Sequence, residues 1–174
     1  MAQLIIRKAT VDDAEELSEL INEIIEAGGT TALEDPFSPE LLADWFIAGE
    51  FPLACHVAQA EARLAGFQFL SSYGDLPKGW ADIGTFARLN PKIPGVGTAL
   101  FATTLSAAEE RNIKVIRATI RADNTGGLAY YEKMGFRTYN MLEKVPLNDG
   151  TPVDRIQKQY QVSKDKSGLW RSAQ

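Results

Sequence analysis

Apolar and polar positions regroup along the chain in ways that separate strands from helices. Leu4-Ile5-Ile6-Arg7-Lys8 is a short apolar run suited to a first strand. The period then changes: Leu17, Leu20, Ile21, Ile24 and Ile25 recur at three- to four-residue spacing, which predicts one apolar stripe of a helix. Thr10 can cap that helix, Asp12 and Asp13 put negative charge in its first turn, and Gly28-Gly29 end it. After a loop from Thr30 to Phe37, Ser38-Pro39-Glu40 starts a second helix. Its buried face is Leu41, Leu42, Trp45 and Phe46, and Gly49 closes it. Phe51 to Ala60 and Leu64 to Tyr73 read as an antiparallel hairpin around Glu61-Ala62.

A strand from Trp80 to Leu89 follows, then a loop ending in Pro94-Gly95-Val96-Gly97, then a helix to about Arg111. Ala99, Ala102, Ala107 and Ala108 let that helix pack closely on a sheet. Lys114 to Ile120 reads as a strand, and Thr125 to Met134 as a short helix opened by Asn124 and closed by Gly135. Phe136 to Val145 and Val153 to Val162 form a final hairpin around Asn148-Asp149-Gly150. The order β-α-α-β-β-β-α-β-α-β-β, with no internal repeat and no linker, predicts a single domain over 1–162 of mixed α/β (α+β) class. A polar tail, 163–174, follows it.

Composition narrows the function. The 174 residues carry a net charge of −5, which disfavours nucleic acid as a partner, since phosphate backbones need clustered Lys and Arg. No apolar run approaches the roughly 20 residues that cross a bilayer, and the N-terminus has too short an apolar stretch for a signal peptide. A cytoplasmic location is therefore expected. A single cysteine, Cys55, and a single histidine, His56, leave no multi-cysteine or His-based metal site, so no metal is expected.

The glycine turn carries the first chemical signal. Glycines let backbone approach a ligand closely, and the helix behind them offers unpaired N–H groups and the positive end of its dipole. That combination predicts an anion site for a phosphate or pyrophosphate. Two common phosphate ligands are excluded. A dinucleotide fingerprint needs glycine where Leu100 stands, and a nucleoside-triphosphate loop needs Gly-Lys-Ser/Thr where the chain reads Gly97-Thr98-Ala99.

A second segment, Asn124-Thr-Gly-Gly-Leu-Ala-Tyr-Tyr-Glu-Lys-Met-Gly-Phe136, selects another. Together with Lys92-Ile-Pro-Gly-Val-Gly97 it resembles the GNAT superfamily of N-acetyltransferases. That family has Gln/Arg-x-x-Gly-x-Gly/Ala before its central helix, and Asn followed by Tyr-Glu-x-x-Gly-Phe further on. Lys92 departs from the pattern, keeping a cation but losing the planar fork of arginine. The similarity in element order runs from about Leu4 to Val162. A weaker resemblance, in Gly29-Thr-Thr-Ala-Leu-Glu34, Pro36, Ser38 and Trp45, is to the phosphinothricin acetyltransferase branch.

The resemblance implies a mostly antiparallel, six- to seven-stranded sheet flanked by about four helices, and acetyl transfer from acetyl-CoA to a primary amine of a small molecule or amino acid. It implies Tyr131 as the acid that protonates the CoA sulfur, and a pyrophosphate cradle of Lys92, Ile93, Pro94, Gly95, Val96, Gly97 and Thr98. Phe86 and Ala87 would pair their backbone with the pantetheine arm, Asn124 would bond that arm, and Lys133 would reach the adenosine phosphate. Asp82 is the first choice of general base, on the strand face of Gly84 and Phe86. Thr31 and Glu34, with Asp35, stand in the loop that lines the family's acceptor pocket. His56 and Cys55 read as structural residues of an apolar strand, and a homodimer is the assembly the resemblance suggests. Two alternatives stay open: a peptide or protein N-acetyltransferase, and a non-catalytic acyl-CoA-binding module.

Overall fold

Seven strands form one sheet in the order β1-β2-β3-β4-β5-β7-β6 in the computed structural model, which describes residues 3–164 and 170–172. The strands are β1 (Leu4–Lys8), β2 (Pro52–Ala60), β3 (Arg63–Ser71), β4 (Trp80–Ala87), β5 (Val115–Arg121), β6 (Arg137–Pro146) and β7 (Pro152–Lys164). A short β8 (Trp170–Ser172) pairs with the end of β7. The boundary expected at residue 162 thus falls inside β7. Every pairing is antiparallel except β4 with β5. The helices are α1 (Ala14–Ala27), α2 (Pro39–Ala43), α3 (Val96–Glu110) and α4 (Thr125–Lys133). The mixed, mostly antiparallel architecture expected from the element order is what the chain adopts.

The sheet is covered on both faces, which explains why β3 is buried along most of its length. One face carries α1 and α2, whose Leu17, Leu20, Ile21, Leu42 and the nearby Phe46 pack with Val57 and Phe67. The apolar stripe of α1 is the one its spacing predicts; burying each such side chain contributes about 1.5–3 kcal/mol. The other face carries α3 and α4, where Phe101, Tyr131, Phe136 and Tyr160 pack with Leu70, Ile83 and Ile116.

Local chemistry sets the helix ends. The Asp13 carboxylate accepts the Thr10 N–H at 2.8 Å, and Ser38 Oγ accepts the Leu41 N–H at 3.1 Å. The second helix departs from expectation. It stays α-helical only through Ala43, then widens into a π turn over Asp44–Ala48. Gly49 permits this, because a side chain there would collide with the Asp44 carbonyl. The wider turn leaves Phe46 buried and Trp45 at the surface.

The feature that positions the site is a split in the sheet. β4 and β5 pair over only three rungs, Trp80↔Val115, Ala81↔Ile116 and Asp82↔Arg117. Beyond them β4 runs on along β3 alone, and β5 along β7 alone. Among the described residues, no helix is long and apolar enough to cross a membrane.

Candidate active site

The split opens a cavity of about 670 Å³ between β4 and β5. Its floor is β4 from Asp82 to Ala87, one end is the turn Lys92–Gly97, and the other end is the loop Thr30–Leu33 with Trp45, Phe51 and Tyr73. Tyr130, Tyr131 and Asn124 close it from α4. Among the described residues, the backbone edge of β4 facing β5 has no strand partner past Asp82, so its N–H and C=O groups there are open to an extended ligand. Phe86 and Ala87 lie on that stretch of β4 and line the cavity.

The glycine turn divides its two glycines between different jobs. Gly95 adopts φ +83°, in the left-handed region, and nothing lies within 4 Å of where its Cβ would be. It shapes the turn and leaves its backbone open to a ligand. Gly97 has a different reason to be glycine: a Cβ there would sit 2.6 Å from Cε2 of Tyr130. The Tyr130 hydroxyl donates to the Gly97 carbonyl at 2.7 Å. Val96 is buried beneath the turn, Lys92 and Ile93 line the cavity, and Thr98 lies in the first turn of α3, exposed and outside the cavity wall.

Tyr131 is buried, with its ring against Phe136 and Tyr130 and its hydroxyl 2.8 Å from Thr85 Oγ1. Burial pushes its phenol well above the ordinary tyrosine value, and the bond with Thr85 acts in the opposite direction. Tyr130 is raised by burial as well.

Asp82 is in the cavity wall, at the last rung before the split, but its carboxylate is committed. Arg117 Nε donates to one oxygen at 2.7 Å and Nη2 to the other at 2.8 Å. The sequence held no signal for this pairing, since 35 residues separate the partners. Parallel strands bring them opposite one another.

Asn124 has both ends of its amide in use. Its oxygen accepts the Gly127 N–H at 2.9 Å as the cap of α4, and its nitrogen donates to the Thr30 carbonyl at 2.9 Å. The Arg121 guanidinium donates to the Thr31 carbonyl at 3.2 Å, so the loop is tied down twice. Thr31 and Leu33 line the cavity. Glu34 turns the other way and accepts the Asn148 backbone N–H at 2.8 Å, joining the loop to the β6–β7 hairpin. Asp35 accepts from the Asn148 side chain at 3.3 Å. Lys133 is exposed in the last turn of α4 and does not line the cavity.

His56 sits in β2 opposite Lys8 and Gln68, away from the cavity, and burial lowers its pKa. Cys55 is core, with its thiol pushed up to about 12 by burial. Among the described residues there is no group of three or more His, Cys, Asp or Glu side chains able to hold a metal. The residues that sequence reading missed are Thr85, Gln68 and Arg117. Each is an ordinary strand residue until the sheet places it beside the tyrosines or the aspartate.

Comparison with known proteins fits this geometry. The chain has the fold of a ribosomal-protein-alanine N-acetyltransferase from Brucella melitensis, with TM-score 0.79, 22% identity, and coverage of 90% of this chain and 99% of that one. It also has the fold of a GNAT superfamily phosphinothricin acetyltransferase from Sinorhizobium meliloti, solved in complex with acetyl-CoA, with TM-score 0.80, 16% identity, and coverage of 95% and 92%. A Bacillus subtilis (strain 168) protein, uncharacterized protein YxbD, is 46% identical over 43 residues, covering 25% of this chain and 27% of that protein. The model of the acetyltransferase (GNAT) family matches residues 17–136, which hold most of α1, the split, the glycine turn and the Tyr131 segment. With well over half of its length matched by that model, the chain belongs to the GNAT family of acetyltransferases.

Proposed function

We propose that the protein transfers an acetyl group from acetyl-CoA to the primary amine of a small molecule or amino acid, by direct attack of the amine. The observation that carries this is the split between β4 and β5, which connects the Gly95 turn at one end to Tyr131 and Asp82 midway. The residues present suit the cosubstrate: an unpaired strand edge for an extended amide-bearing arm, and exposed N–H groups at the start of α3 for a pyrophosphate. Acetyl-CoA supplies the activated acetyl group and the thiolate leaving group.

The chain's own residues divide the proton work. Only about 4 in 10,000 lysine-like amines are neutral at pH 7, so a proton must be lost before attack. Asp82 and Asp44 both line the cavity, and Asp82 is the one at the split between β4 and β5. Because Arg117 holds both of its oxygens, storing a proton there would break a bidentate pair. Asp82 is therefore assigned to drawing in the ammonium, which gives its proton directly to water. Tyr131 returns a proton to the leaving sulfur. Asn124 and Arg121 keep the Thr30–Leu33 loop over the acceptor end.

A small acceptor is favoured by how that end is built. Phe46, Phe69 and Phe86 make a continuous aromatic wall, with Phe46–Phe69 ring centroids 4.5 Å apart. The tethered loop stands across from it. Incubation with acetyl-CoA and a panel of amines and amino acids, alongside peptides, should release free thiol with the small amines. Absence of CoA binding by calorimetry would sink the assignment, and thiol release with peptides alone would replace the acceptor class.

A further inference from the structure

A chain of buried hydrogen bonds joins the glycine turn to the proton donor, and Gln68 is its centre. Gln68 is 0% exposed on β3. Its Nε2 donates to Thr85 Oγ1 at 2.8 Å and to the Tyr130 hydroxyl at 3.0 Å. Tyr130 in turn donates to the Gly97 carbonyl, and Thr85 Oγ1 lies 2.8 Å from the Tyr131 hydroxyl.

Donor counting sets the direction at Tyr130 and Gln68. A tyrosine hydroxyl has one hydrogen, and that of Tyr130 is spent on Gly97. Gln68 must therefore face Tyr130 with its NH₂, not its carbonyl, even though this leaves Gln68 Oε1 without a partner among the described residues. The second Nε2 hydrogen reaches Thr85. Thr85 takes that bond on a lone pair, which leaves its own single hydrogen free for the Tyr131 oxygen 2.8 Å away. With Thr85 as the donor of that bond, Tyr131 keeps its hydrogen for the cavity.

The geometry points to Thr85 and Gln68 as positioning residues that orient the Tyr131 hydroxyl as a donor and couple it to the cosubstrate turn through Tyr130. Tyr131 gives its proton to the thiolate, making a thiol and a phenolate. The phenolate oxygen is held by the Thr85 hydroxyl until it regains, by way of water, the proton that the attacking nitrogen loses as the amide forms. The enzyme returns to its starting state, and the proton that the ammonium shed before attack is released to solvent. Burial holds the Tyr131 phenol above its ordinary value, and the bond with Thr85 acts against that rise.

This inference rests on Tyr131 being the acid, and the test separates the two. Tyr131→Phe should lower kcat about a hundredfold. Thr85→Val should lower kcat about tenfold with the KM for acetyl-CoA within about twofold, and Thr85→Ser should restore it. Added to Tyr131→Phe, Thr85→Val should cost nothing more. In the unloaded protein, the carbon-13 resonance of Tyr131 Cζ should move in Thr85→Val and return in Thr85→Ser. Tyr130→Phe should weaken CoA binding in calorimetry about tenfold. A wild-type kcat in Tyr131→Phe overturns the acid assignment and this inference with it. A full Tyr131→Phe loss combined with an additive Thr85→Val loss, an unmoved Cζ resonance, or unchanged CoA affinity in Tyr130→Phe overturns this inference alone.

Discussion

The ring of Tyr130 occupies the space that a side chain at position 97 would need, with Cε2 2.6 Å from the place of a Gly97 Cβ. The same tyrosine bonds the Gly97 carbonyl. Gly97→Ala should therefore push the ring aside and break that bond. Overpacking of this kind costs about 1–3 kcal/mol, and thermal denaturation should show the loss together with weaker CoA binding. An alanine variant of wild-type stability and affinity would mean that the turn yields freely.

Gly84 is a parallel case on β4. A side chain there would collide with the Phe69 ring, which lies across the strand. Gly84→Ala should displace Phe69 from its contact with Phe46 and lower stability by about 1–3 kcal/mol in urea unfolding. It should also raise the KM for the acceptor, since Phe69 and Phe86 share the aromatic wall.

The two bonds of Asn124 predict two separable defects. Asn124→Ala removes the cap of α4, at a cost of about 1 kcal/mol. It also frees the Thr30 carbonyl, so the loop loses one of its two ties. Steady-state kinetics should show a larger rise in acceptor KM than in acetyl-CoA KM. Asn124→Asp keeps the capping oxygen but not the donor, so it should recover stability without recovering the acceptor KM.

Arg117→Gln should separate the roles of the Asp82 pair. The guanidinium holds both carboxylate oxygens. Losing it leaves Asp82 partly buried with no cation beside it, which costs stability and changes how the site handles the amine proton. Activity should fall at neutral pH and recover in part as pH rises and more amine is neutral. A pH–rate profile identical in shape to that of the parent protein would remove Asp82 from the proton path.

Acid sensitivity should trace partly to Asp13. Arg7 grips both of its oxygens, at 2.9 and 2.8 Å, and holds the carboxyl below its ordinary value. A depressed folded-state pKa contributes stability above the unfolded value, near 4, that is lost as pH falls through the folded one. The urea midpoint should fall between about pH 6 and about pH 3, and Asp13→Asn should make that fall smaller. An equal fall in the variant would assign the acid sensitivity elsewhere.

Residue order by itself determined most of the elements and carried the family resemblance that pointed to acetyl-CoA. Apolar period distinguished α1 from the strands, and Ser38, Asn124 and Gly135 marked helix ends, because caps and amphipathic stripes act between residues a turn apart. The Gly95 turn and the Asn124-to-Tyr131 spacing were legible for the same reason, each lying within one short segment. The partnerships were not legible. Asp82 with Arg117, Tyr130 with Gly97, Gln68 with Thr85 and Glu34 with Asn148 all join positions far apart in the chain. Strand order and register alone bring them within bonding distance. The split of β4 from β5 belongs to that level too, since it arises from where two strands stop pairing rather than from any residue in either. The sequence thus named the tyrosine and the turn, and the tertiary structure decided which groups hold them, because hydrogen bonds reach about 3 Å in space whatever the separation along the chain.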